Sequence, residues 1–279
     1  MIPIGIFAKT FPGSDPLEVL GAVRRAGYDV AHWNMACSGL PSMPDAIPVE
    51  AADAIAAAVR ETGVTLIGFS ATYNMIHPDP IVRRRGQESL GVIAAAAHAM
   101  GVRLLTLCTG TRDPDDQWRR HPENDAPAAW RDLLAEMEQA IATAEAHDVD
   151  LGIEPERANV VSSAALAGRL IDEMKSARLK IVLDPANLVE TEAAEEKRAI
   201  IAEAIDLLAD RIVMAHAKDR AADGSFVAAG KGVLDFGHYL RRLTAAGFSG
   251  PLVAHGLDPA EAPAVARFLT DALAEAGLL

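Results

Sequence analysis

The sequence predicts a single (β/α)8 barrel, the TIM-barrel class of α/β fold, over residues 1–279. Three observations predict it. Eight short β-rich runs are each followed by a segment long enough for a helix, the two alternate with no low-complexity linker, and 279 residues, half of them apolar, suit one barrel better than two ordinary domains. A doubly wound parallel sheet is the structural alternative, but it ordinarily has fewer strands.

The first run is Ile2 to Phe7, and Ala26-Gly27-Tyr28 then closes a helical stretch and leads into the second, Asp29 to Trp33. The third, Thr65 to Phe69, follows Thr62-Gly63-Val64, and the fourth, Leu104 to Cys108, follows Met100-Gly101-Val102. Next come Asp150 to Ile153, Lys180 to Leu183 and Ile212 to Ala215, and Ala246-Gly247-Phe248 precedes the last, Leu252 to Ala254. At these junctions glycine supplies the left-handed cap that ends a helix, so the strand starts within a few residues. Between the runs, apolar residues recur at helical spacing, as in Leu90, Ile93, Ala94 and Ala97 and in Leu133, Leu134, Met137 and Ile141. The strand starts meet tight glycine loops, whereas the strand ends open into longer segments: Ala71 to Asp79, Thr109 to Asn124 and Asp219 to Asp235. Long βα loops are where a barrel keeps its active site.

Composition removes several functions. A formal charge of −13 repels a nucleic-acid polyanion, and the one compact cationic run, Arg83-Arg84-Arg85, reads as a solvated helix face. No nucleic-acid partner is expected. Cys37 and Cys108 are too few for a disulfide framework or a thiolate cluster, and Met1-Ile2-Pro3-Ile4-Gly5 lacks the cationic lead of a signal peptide. The longest apolar stretch, Leu90 to Leu107, is broken by His98, Gly101 and Arg103, so no membrane partner is expected either. The expectation is a cytoplasmic protein, alone or as a homo-oligomer.

Four successive strands end in a residue able to bind a metal: Glu154, Asp184, His216 and His255. A single polar residue at a strand end is usually a cap. Four in succession converge at the top of a barrel, where two carboxylates would repel each other unless a cation or a proton offset them. Mixed oxygen and imidazole donors without a thiolate suit Mn, Fe, Co or Zn better than Ca, with Mg less favoured. A divalent metal ion is therefore the expected cofactor.

The segments Thr72-Tyr73-Asn74-Met75-Ile76-His77-Pro78-Asp79, Ile153-Glu154-Pro155-Glu156, Leu183-Asp184-Pro185-Ala186-Asn187 and His216-Ala217-Lys218-Asp219 resemble the xylose-isomerase-like barrel superfamily. Gly230-Lys231-Gly232 with Asp235-Phe236, and Gly250-Pro251-Leu252, extend the likeness over nearly the whole chain. That superfamily includes sugar and sugar-phosphate isomerases, tagatose 3-epimerase-like enzymes and, more distantly, endonuclease IV. The resemblance implies metal ligands after strands five to eight in the order Glu, Asp, His, Glu. Here Glu154, Asp184 and His216 match, and His255 stands where the second glutamate would be. It also implies a substrate-contacting histidine three residues after the aspartate, where this chain has Asn187. Glu154 remains the expected base, and His255 is left as ligand, acid or both.

Other positions carry two readings each. Trp33, at the end of the second strand, either stacks on a sugar ring or belongs to the barrel rim core. Tyr73, Asn74 and His77 share the third βα loop, where His77 either polarises a substrate oxygen or stabilises its own turn. Trp118 and His121, with Arg112, form a lid over the mouth or a loop with no role. Glu156 and Lys218 lie two residues beyond Glu154 and His216, on the same faces, and are candidates to bind hydroxyls or to support the ligands. Lys218 paired with a nearby carboxylate is the alternative. Lys231 either meets a phosphate or only shapes its glycine turn.

The expected function is a metal-dependent isomerase or epimerase of a sugar, keto-sugar or polyol, proceeding through an enediolate. A metal-dependent lyase of a keto-sugar or keto-acid, with His255 as the acid, begins from the same intermediate. A non-catalytic sugar-binding barrel is the third reading. A phosphodiester hydrolase would need a larger ligand cluster and a basic path, and neither is visible in the sequence.

Overall fold

A computed structural model describes residues 2–278. Its strands in chain order are β1 Ile4–Phe7, β2 Val30–Trp33, β3 Thr65–Ser70, β4 Leu104–Leu107, β5 Asp150–Ile153, β6 Leu179–Leu183, β7 Ile212–Arg220, β8 Phe226–Ala228 and β9 Leu252–Ala254. The helices are α1 Pro16–Arg25, α2 Val49–Thr62, α3 Pro80–Ala97, α4 Pro127–Ala146, α5 Ala164–Met174, α6 Pro185–Leu188, α7 Ala194–Leu208, α8 Phe236–Ala245 and α9 Ala262–Glu275. All strands except β8 pair in parallel with their chain neighbours, and β9 pairs with both β1 and β7, so an eight-stranded barrel closes as the sequence predicts.

The returns at the bottom of the barrel follow the glycine logic. Gly27, Gly63, Gly101 and Gly247 have φ of 95°, 71°, 74° and 84°, the left-handed region that a side chain resists. At the other end of the helices, Asp15 and Asp79 cap α1 and α3 by accepting backbone N–H groups, each followed by proline in the first turn. α1 illustrates the packing: Val19, Leu20 and Val23 recur at helical spacing and are buried.

Two cores result. The larger lies between strands and helices, and a small one of Val182, Met214 and Val253, flanked by Ile67 and Leu104, is separate from it. Glycines make room beside this small core: a Cβ on Gly152 would lie 2.8 Å from Val182 Cγ2, and one on Gly5 would come 3.6 Å from Val253 Cγ2 and 2.7 Å from Val30 Cγ2. No helix among the described residues is long and apolar enough to cross a membrane.

The structure adds two elements the sequence reading lacks. The seventh strand runs on past Ala215 to Arg220 and folds back antiparallel on β8, with Lys218 opposite Ala228 and Arg220 opposite Phe226. The short α6 begins directly after Asp184.

Candidate metal and sugar site

The site is assembled from strand ends. Glu154 follows β5, and its backbone N–H donates to Leu107 O at 3.2 Å, which fixes it beside β4. Asp184 caps α6: its Oδ1 accepts the Ala186 N–H at 2.9 Å, leaving Oδ2 to face the barrel axis groups. On β7, residues two apart share a face, so His216 and Lys218 line the cavity while Asp219 turns away. Asp219 accepts the N–H groups of Arg220, Gly230, Gly232 and Leu234 at 2.8–3.1 Å and so ties the β8 hairpin down. Gly232 is required there, since a Cβ would come 2.2 Å from Arg220 O and 2.3 Å from Asp219 Oδ1. Lys231 pairs with Glu261 at 2.6 Å, so the Gly-Lys-Gly segment serves as a turn.

At the centre, His216 Nδ1 lies 3.2 Å from Glu154 Oε1 and 3.5 Å from Asp184 Oδ2, and Lys218 Nζ lies 3.4 Å from the same Asp184 oxygen. Asn187 links the network by donating to Glu154 Oε1 and accepting from Lys218 Nζ, both at 2.7 Å. Asp184, His216, Asn187 and Lys218 are all buried. Burial alone would lower the His216 pKa, but the Glu154 and Asp184 carboxylates more than offset it and raise it to about 9. Against a burial penalty of the opposite sign, Asp184 is held well below the usual carboxylate range by Lys218 and His216, and Glu154 is lowered by His216. Glu156 goes the other way: burial, then the Glu154 charge, pushes it up to about 7.

These residues fit a divalent cation. One ligand atom from each of Glu154, Asp184 and His216 lies within 4.8 Å of the others, and the buried Asp184 Oδ2 has no hydrogen-bond donor within normal geometry. Atoms bound about 2.1 Å from one ion at tetrahedral or octahedral angles are about 3.0–3.4 Å apart, close to the spacings seen here. His216 Nδ1 either carries a proton between the two carboxylates or, losing it, offers them a fellow ligand.

His255, the fourth expected ligand, lies outside that group of three. Its ring stacks on His216 at 5.0 Å between centroids with planes 11° apart, and on Phe7 at 5.1 Å. Burial, then His216 and Lys218, lowers its pKa to about 4, which keeps it neutral, and its buried Nδ1 has no partner. It lines the cavity above the cluster as a neutral ring.

That cavity, 430 Å³, holds Glu154, Glu156, Asn187, His216, Lys218 and His255 from the sequence reading, together with Trp118. It does not include three of the expected substrate-binding residues. Trp33 is fully buried in the core because successive strand residues alternate, and its neighbour His32 points into the cavity instead, bonded to Thr106 Oγ1 at 3.0 Å. Tyr73 is buried in the core, packed so closely on Gly86 that a Cβ there would lie 2.0 Å from its ring. His77 is spent on its own loop: Nδ1 accepts the Asp79 N–H and Nε2 donates to Pro114 O, both at 3.0 Å. Arg112 binds Asp132 and Ile76 O, and His121 caps a 3-10 turn, so of the expected lid only Trp118 reaches the mouth.

The sequence reading missed His32, Phe7, Phe226 and Arg220. His32 carried a readable signal, a histidine one residue before a strand end. Phe226 did not, because the hairpin that presents it lies in a segment read as loop. Its ring meets both Lys218 Nζ at 3.8 Å and the Arg220 guanidinium at 3.6 Å.

Fold and site together define a (β/α)8 barrel with two carboxylates and an imidazole gathered at its C-terminal rim. The profile described as Xylose isomerase-like TIM barrel matches residues 20–272, and the chain belongs to that family. No curated protein matches the sequence. Among solved structures it is similar to an L-ribulose 3-epimerase (20% identity, TM-score 0.75, covering 99% of this chain and 96% of that one). It is also similar to a 3-keto-D-glucoside 4-epimerase from E. coli (19%, 0.73, all of both chains) and to a D-tagatose 3-epimerase-like protein (14%, 0.76, 99% and 98%). At these identities the likeness is one of fold.

Proposed function

We propose that the protein is a divalent-metal-dependent isomerase or epimerase of a sugar or keto-sugar. The observation that carries this is the convergence of Glu154, Asp184 and His216 within 4.8 Å at a cavity of 430 Å³. The sugar epimerases among the structural neighbours support the substrate class. Glu154, Asp184 and His216 would hold the ion. Once bound, it would draw charge from adjacent carbonyl and hydroxyl oxygens, acidify the intervening C–H and stabilise the enediolate.

The chain's own residues do the rest. Glu154 takes the proton from the substrate carbon, its orientation fixed by the Asn187 amide. Lys218 offsets the Asp184 charge and, through Asn187, ties that charge to Glu154. Glu156, its carboxyl pushed up to about 7, is divided between protonated and ionised forms at neutral pH, and the protonated form can return a proton to the substrate. His32 and His255 border the same space as neutral rings and can exchange hydrogen bonds with hydroxyls. A lyase that depends on His255 as an imidazolium acid is the weaker reading, since burial and its cationic neighbours keep that ring unprotonated.

Glu154→Gln tests the assignment. It keeps the shape and the Asn187 contact but removes the base, so uptake of solvent deuterium into a responsive sugar, followed by mass spectrometry, should fall about 10²–10⁴-fold. Unchanged exchange would move the base elsewhere.

A further inference from the structure

A second chamber of 680 Å³ adjoins the cavity over the cluster, and the two share Trp118, Glu156, Asn187 and Phe226 in their walls. Trp118 and Phe226 are 52% and 46% exposed, far more than the other tryptophans, Trp33 and Trp130, and each presents an aromatic ring to both spaces. Phe226 carries Lys218 and Arg220 on its ring, whereas the Trp118 ring stands open at the mouth. A single ligand pocket usually runs about 300–1,000 Å³. The inner cavity, at 430 Å³, has room for a monosaccharide, and the outer chamber adds space beyond it.

The lining of the outer chamber identifies the kind of ligand. Arg120, Arg157 and Arg220 face Glu156 and Glu190, with Ser162 beside them. Two of the cations are already matched: Arg120 pairs with Asp125 at 2.6 Å and Arg157 with Glu192 at 2.7 Å. Arg220 donates to Ala186 O and Gly224 O and lays its face on Phe226, with no carboxylate among the described residues in direct contact. The three guanidiniums are balanced by the carboxylates of Glu156, Glu190, Asp125 and Glu192 around them, so the chamber has no excess of positive charge for an anion, while planar polar side chains, a hydroxyl and the open Trp118 ring suit a neutral polyhydroxylated ring.

We propose that the outer chamber is a second carbohydrate subsite, so that the substrate is a two-part sugar, a glycoside or disaccharide. One ring lies over the Glu154 cluster and the other beyond the neck formed by Trp118 and Phe226. This rests on the carbohydrate reading of the inner cavity and adds the second unit.

The test is calorimetric titration of the whole protein with matched probes: D-fructose against lactulose, D-glucose against cellobiose, and fructose 6-phosphate. Ser162→Phe fills the outer chamber from a half-buried position with no part in the cluster, and Ala158→Leu on the same wall serves if the first variant does not fold. The expected result is at least tenfold tighter binding of a disaccharide than of its monosaccharide, with that advantage lost in the variant and monosaccharide affinity unchanged. Equal affinity for both members of each pair overturns the subsite, as does a disaccharide advantage that survives both variants. Preferential, salt-sensitive binding of the phosphate overturns it in favour of an anion site. Failure of every sugar to bind would instead strike at the carbohydrate reading of the inner cavity, and the subsite would fall with it.

Discussion

Asp184→Ala and Asp184→Asn are both expected to leave the purified protein without bound divalent metal and to lower its melting temperature, and the asparagine variant, which keeps the helix cap, should be the more stable of the two by about 1 kcal/mol. The two variants separate two jobs of one fully buried side chain. Oδ1 caps α6, and an asparagine carbonyl can still accept the Ala186 N–H. Oδ2 is the carboxylate oxygen shared by His216 and Lys218, and only the charged form serves a cation there. Either change leaves the Lys218 ammonium buried without its carboxylate, held only by the Asn187 amide and the Phe226 ring, a loss of about 3–5 kcal/mol for a broken buried pair, and alanine loses the cap as well. Elemental analysis after gel filtration measures the first effect and thermal unfolding with a chelator present measures the second. Full metal retention in both variants would remove Asp184 from the ligand set.

The second large effect is on pH. In the absence of an ion, His216 binds a proton with a pKa of about 9, raised from 6.5. A cation needs the unprotonated Nδ1, so each pH unit below about 9 should weaken apparent metal affinity about tenfold, measured by competition with a chelator between pH 6 and 9. The metal-free protein should show the opposite trend. A histidine whose folded pKa lies above its unfolded value contributes stability that is complete below 6.5 and is lost as pH rises through 9. Metal-free stability should thus fall over the interval in which metal affinity climbs. A flat affinity profile would mean that His216 is not a ligand.

Much of the frame was legible in the sequence, because the signals are local. The Asp150 to Ile153 and Leu252 to Ala254 strands match the observed β5 and β9, and the glycine returns fall where the helices end. Glu154 and Asp184 could be picked out because each directly follows a barrel strand, and His216 because it follows the apolar part of β7, places that chain order specifies. What was not legible depends on phase or on distant partners. Alternation has a period of two, so placing Trp33 rather than His32 at the mouth inverted one strand end. The lengthened β7 was cut short at Ala215, since Lys218, Asp219 and Arg220 look like loop residues until Asp219 is seen accepting four backbone N–H groups. His255 directly follows β9, but its surroundings are made by Phe7 and His216, 248 and 39 residues away, whose rings it stacks between.

The unequal exposure of the three tryptophans has an optical consequence. Trp33 is sealed in the core and Trp130 nearly so, with its indole N–H bonded to Glu173. Both should emit in the blue part of the indole range and resist collisional quenchers. Trp118 stands half in water at the neck between the chambers, so red-edge emission and its quenching by iodide report on that one spot. The protein carries its own fluorophore at the entrance, and occupancy of the mouth can be followed without a label or a coupled assay.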